Sequence, residues 1–138
     1  MYNLIKALLP LVILAGLATG CSASKSGRIV LSPNDNYALT SQKIRKFGEG
    51  LAYSDICHQS SSKDIRRLTS WIFTNYPQQA DELMTILVDS TVESFTGFVN
   101  QVDDQRMLGL RPEMNNPQVQ EICRKNKSLY KRLVFPEP

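Results

Sequence analysis

The side chains able to do chemistry in this chain are few. There are three cysteines, Cys21, Cys57 and Cys123, and one histidine, His58. His58 lies close to Ser54 and Asp55, and a nucleophile, a base and an orienting acid are what covalent catalysis needs. No recognised motif frames these three residues, and a solvated histidine at a helix end is the better reading. A zinc site fails on spacing, because adjacent Cys57 and His58 are not a usual ligand pair and no second histidine exists. Gly48-Glu49-Gly50 lacks the third glycine and the preceding strand of a phosphate loop. Asp81-Glu82 and Asp103-Asp104 lack the spaced oxygens of a calcium loop and read as solvated carboxylates. The residues therefore point to a protein that is not an enzyme, with no catalytic residue, no metal and no cofactor.

Cys21 differs from the other two cysteines in its setting. Lys6 precedes an apolar run over residues 7–17, followed by small Ala18, Thr19 and Gly20 and then Cys21. Charged, apolar and small segments in that order make an export signal. The run is shorter than the roughly 18–20 residues that span a bilayer, and Pro10 and Gly16 interrupt it. Leu17-Ala18-Thr19-Gly20-Cys21 resembles the lipobox of bacterial lipoprotein precursors, with leucine one step further from the cysteine than usual. The resemblance implies cleavage before Cys21 and diacylglycerol on its sulfur. Ordinary signal cleavage would instead leave a free thiol at the new N-terminus. Ser22 follows where aspartate favours inner-membrane retention in such lipoproteins. That implies the outer membrane, with the protein facing the periplasm.

Loss of residues 1–20 leaves a chain of single-domain size. The formal net charge of +3 includes Lys6, so the balance after cleavage gives no general case for nucleic acid. Cys57 and Cys123 remain, and in an oxidising compartment two cysteines read best as one disulfide. Two buried free thiols or a metal pair are the alternatives.

The expected organisation is a signal peptide over 1–20, a lipidated cysteine with a flexible tether over 21–36, and a helical domain over 37–138. Within the tether, residues 28–31 suit a short extended piece lying on the domain. Thr40 or Ser41 can cap a first helix with Ile44, Phe47 and Leu51 on one face, weakened by Gly48 and Gly50. Ser61 opens a second, with a stripe of Ile65, Leu68, Ile72 and Tyr76. Pro77 stops it or starts a third, where Asp81 and Glu82 suit the dipole. Ala80, Met84, Leu87, Val88, Thr91, Phe95, Phe98 and Val102 form the third stripe. Residues 103–116 read as a loop, and Asn116 and Pro117 open a fourth helix. Val119, Ile122, Cys123, Leu129, Tyr130 and Leu133 make its apolar face, opposite Arg124, Lys125, Lys127, Lys131 and Arg132. Amphipathic helices need a shared core, so the fold class is all-α, a small bundle of about four helices stapled by one disulfide.

On the second helix Trp71 and Phe73 flank the stripe, which widens its apolar arc to about 200°. Either it is the central helix, covered on three sides, or Trp71, Phe73 and Tyr76 line a groove that receives a partner. The basic face of the fourth helix reads as solvated, as paired with the acidic face of the third, or as a contact with anionic headgroups or an acidic partner.

A lipid anchor, a tether and a stapled helical bundle suit an interaction protein. The layout is similar to the helical pilotins of secretion systems (PulS/OutS type), on Cys21, Cys57, Cys123 and the basic, aromatic end after Cys123. That resemblance implies an envelope protein as partner, bound through an amphipathic segment, besides the membrane reached through lipid on Cys21. Neither nucleic acid nor a small-molecule substrate is expected. An inhibitor or exclusion lipoprotein would instead present Arg106, Met107, Leu108 and Arg111 to a foreign enzyme or conjugation partner. A cell-wall hydrolase would need a nucleophile–base pair that the residues do not offer.

Overall fold

The computed structural model describes residues 27–57, 59, 62–102 and 114–137. The signal segment with Cys21, together with Ser22, His58, Ser61, Asp103, Asp104 and the loop residues Arg106, Met107, Leu108 and Arg111, lies outside the described residues. Among those described are four helices, α1 (Tyr37–Ile56), α2 (Ser62–Asn75), α3 (Ala80–Asn100) and α4 (Pro117–Arg132), with strands β1 (Ile29–Val30) and β2 (Leu133–Val134). The protein is a small all-α bundle, as expected, and Cys57 and Cys123 are joined by a disulfide with Cα atoms 5.8 Å apart.

α1 begins earlier than Thr40 or Ser41. Asn36 caps it, its side chain accepting a hydrogen bond from the Leu39 amide at 2.8 Å. The first turn is mostly exposed, so apolar periodicity did not mark it. Thr40 is buried and is within hydrogen-bond distance, 2.9 Å, of the Tyr76 hydroxyl, which itself donates to the Asp35 carbonyl. Pro77 belongs to the turn between α2 and α3, and α3 starts at Ala80 with Asp81 and Glu82 in its first turn. Asn116 and Pro117 open α4, with the Asn116 side chain accepting from the Gln118 amide at 2.8 Å.

The N-terminal boundary also moves. β1 pairs in parallel with β2, Ile29 opposite Leu133 and Val30 opposite Val134. Leu31 is buried in the core. Residues 29–31, expected in the tether, therefore pack as part of the helical domain. Leu133 leaves the helical stripe it was expected to continue and becomes the first residue of β2.

The central helix is α1, not α2. From Phe47 to Cys57 nearly every α1 side is buried, whereas α2 buries only Leu68 and Ile72. One cluster joins Ile44, Phe47, Leu51, Leu68, Ile72, Leu83 and Leu87 with Leu31 and Leu133. A smaller one at the disulfide end joins Tyr53, Ile56, Cys57, Val102, Val119 and Ile122. The core face of α3 runs through Ala80, Leu83, Leu87 and Ser90. The expected stripe omitted Leu83 and included Val88, which is exposed.

The glycines of α1 permit close approach of neighbours. A Cβ on Gly48 would lie 2.7 Å from the Ser90 Cβ and Oγ and 2.9 Å from the Leu87 carbonyl oxygen, while one on Gly50 would strike a methyl of Leu133. Ser90 Oγ donates to the Arg45 carbonyl at 2.6 Å across the same contact. Alanine at 48 would gain about 1 kcal/mol of helix propensity. It would also force α1 and α3 apart at backbone, and overpacking of that kind costs about 1–3 kcal/mol. Gly48→Ala is expected to lower the urea midpoint. An unchanged or raised midpoint would show that α1 and α3 are not in such close contact.

Candidate functional site

An open groove of about 510 Å³ runs between α1, α2 and α3. Its floor is Leu51 and Ala52 of α1 and Leu87 of α3. Met84, Val88, Thr91, Val92 and Phe95 of α3 form one wall, Ile65 of α2 part of the other, and Asp55 of α1 lies at the rim. Met84 and Val88 also line a second hollow of about 550 Å³, bordered by Phe73, Thr85, Asp81 and Asp89. The two hollows share these side chains and make one apolar surface. Phe73 is 49% exposed, Val88 53%, Val92 58% and Ile65 40%. Among the described residues, the charged ones lining it are Asp55, Asp81 and Asp89, and no lysine or arginine lines either hollow.

Helix length leaves the Phe95 end of the groove open. α2 has 14 residues and α3 has 21, so at 1.5 Å per residue about 10 Å of α3 extends beyond what α2 can cover. On α3 the directions of Leu83 and Leu87 point to the core, and Met84, Val88, Thr91 and Phe95 follow about a quarter-turn away. The wide apolar arc is a property of α3 more than of α2.

The three expected partner-binding residues separate. Phe73 borders the groove. Trp71 lies on the other flank of α2, half-buried against Tyr76 at a ring separation of 5.7 Å, beside Arg67, Ser70, Thr74, Asn75 and Glu137. Tyr76 is half-buried against the core, held by Asp35 and Thr40. Trp71 and Tyr76 are thus packing residues on the side away from the groove. Ile65, Val88 and Val92 line the groove instead; the sequence marked Ile65 and Val88 only as members of helical stripes and did not single out Val92.

Of the alternatives for the basic face of α4, pairing with the acidic face of α3 is not seen, since no ion pair among the described residues joins them. Glu121 of α4 pairs instead with Arg124 at 2.7 Å and with Lys125 at 3.8 Å. The Arg124 hydrogen bond holds the Glu121 carboxyl below its ordinary range. Tyr130 ties α4 to α2 by donating to Asp64 at 3.2 Å, and burial is the first cause pushing its phenol up. Among the described residues no group of three His, Cys, Asp or Glu side chains is placed to hold a metal ion. None of the described helices is long and apolar enough to cross a membrane.

Fold and groove together define a disulfide-stapled all-α bundle with an open apolar face between α1, α2 and α3. Comparisons with protein-family models, curated proteins and solved structures gave no match.

Proposed function

We propose that the chain is an exported lipoprotein, cleaved before Cys21 and anchored through lipid on that cysteine in the outer membrane. Its helical domain takes an amphipathic helix of another envelope protein into the α1–α2–α3 groove, as an assembly or piloting factor would. The observation that carries this reading is the cluster of exposed Ile65, Phe73, Val88 and Val92 around one groove. Large apolar side chains gathered at an open cleft mark a contact surface, and a helix laid in such a cleft anchors through side chains three and four residues apart.

The test is photo-crosslinking in living cells, with the reactive residue at Val92 or, as control, at Thr74 beside Trp71. A discrete adduct is expected at Val92 only, mapping by mass spectrometry to an apolar helical face of one envelope protein. A secretin subunit in that adduct favours piloting, and a lytic or conjugative enzyme favours inhibition. Val88→Asp puts a carboxylate where apolar contact is needed, at a cost on the order of 2 kcal/mol, so the adduct should fall about 30-fold. Equal adducts at Val92 and Thr74, or an adduct unaffected by Val88→Asp in a folded protein, would remove the groove from the proposal.

A further inference from the structure

We propose that the face of the domain around Gly27 lies on the anionic phospholipid headgroups of the membrane that anchors the chain. This rests on the reading of Cys21 as the lipid-bearing residue. Arg28, Lys43, Lys46 and Arg132 surround a shallow hollow of about 350 Å³ between the start of β1, the outer side of α1 and the end of α4. Two of the four are held by backbone carbonyls. Arg132 Nε donates to the Gly27 carbonyl at 3.0 Å, and Lys43 Nζ donates to the Val30 carbonyl at 2.7 Å. Two carboxylates pair with this group, Asp35 with Lys43 at 2.6 Å and Glu49 with Lys46 at 3.4 Å. Arg28 and Arg132 have no carboxylate partner among the described residues, so cations are in excess. Beside them stand exposed Val30 and Leu39, 47% and 40% accessible. Basic heads around exposed apolar side chains suit the boundary between headgroups and acyl chains.

The anchor decides which anion meets this surface. Six peptide steps separate Cys21 from Gly27, and at about 3.6 Å each they reach at most about 22 Å. The basic face is therefore kept beside the bilayer, where the lipid makes the contact effectively intramolecular and a weak patch suffices. Orientation agrees. On α1, Leu39, Gln42, Lys43 and Lys46 point about half a turn away from Leu51, Ala52 and Asp55, at 100° per residue. With the basic face on the membrane, the groove turns away from it and stays open to a partner.

The experiment uses the exported full-length chain, reconstituted in nanodiscs of phosphatidylcholine alone or of an equal mixture with phosphatidylglycerol. The N-terminal peptide is weighed for acyl chains, and lysine acetylation is followed by mass spectrometry. In the anionic discs Lys46 should react about fivefold more slowly than in the neutral ones, with the difference lost at high salt. Lys125 and Lys127 should change less than about twofold by comparison. Arg28→Glu with Arg132→Glu should abolish the slowing at Lys46 in a protein whose helical circular dichroism is unchanged. Equal Lys46 rates in both discs, with Cys21 acylated, overturn the headgroup contact alone. So does equal slowing at all three lysines. Protection of Lys46 in whole envelopes without protection in the discs assigns the face to an acidic protein and likewise overturns it. A Cys21 peptide free of lipid overturns the anchoring reading and this inference with it.

Discussion

Replacing Cys57 and Cys123 together by serine is expected to lower the unfolding free energy by about 4 kcal/mol. The bridge joins residues 66 apart in sequence, and a loop of that length loses much closure entropy in the unfolded chain when cross-linked. A small domain has about 5–15 kcal/mol in total, so the loss is a large share. Its location adds to the effect. The bridge lies in the smaller cluster, where α4 contributes only Val119 and Ile122 as fully buried side chains. Apart from the bridge, the helix is held by hydrogen bonds from Tyr130 to Asp64 and from Arg132 to the Gly27 carbonyl, by the Tyr130 ring against Tyr53, and by the short β1–β2 pairing at its end. Amide hydrogen exchange of the double serine variant should therefore speed first across α4, before α1 and α3. A thermal midpoint shifted by less than a few degrees, with α4 still protected, would mean that packing alone holds that end closed.

The sequence pattern reached the helices more surely than their neighbours. Asn116 with Pro117, and Asp81 with Glu82, carry terminus chemistry in the residues themselves, so the openings of α4 and α3 were legible to within a few residues. Asn36 was missed because the first turn of α1 faces solvent, and periodicity registers only what is buried. The same limit displaced the site. A helical stripe tells which residues share a direction but not which helix lies over them. Trp71 and Phe73 both widen α2, yet Trp71 is covered by Tyr76 and the C-terminal segment, while Phe73 is left beside the groove. Val88 belongs to an apolar stripe like any core residue, but it points about a quarter-turn away from Leu83 and Leu87 and stays in the open beside Phe73. The extended character of residues 28–31 was readable, but not their pairing with β2, since a parallel partner a hundred residues away leaves no local mark.

Phe47→Ala is expected to cost about 3–5 kcal/mol, comparable with loss of the disulfide but in the larger of the two core clusters. Phe47 is fully enclosed and is the largest side chain to be so among the described residues. It sits where α1 meets the C-terminal segment, its ring set edge-on to Phe135 with centroids 5.0 Å apart and planes at 80°. Truncation removes the transfer free energy of the ring and leaves a cavity that the surrounding helices cannot close, because Gly48 already brings α3 against α1. The hole would lie in the cluster containing Leu31 and Leu133, flanking the β1–β2 pair, so anchorage of both chain ends should loosen with it. Denaturant unfolding of Phe47→Ala, Phe135→Ala and the double variant would separate the contributions. A coupling of about 0.5–1.5 kcal/mol is expected for the edge-on pair, within a larger loss at Phe47 than at half-buried Phe135. A loss below about 1 kcal/mol at Phe47 would be too small for an enclosed phenylalanine and would show that this cluster is not the closed core described.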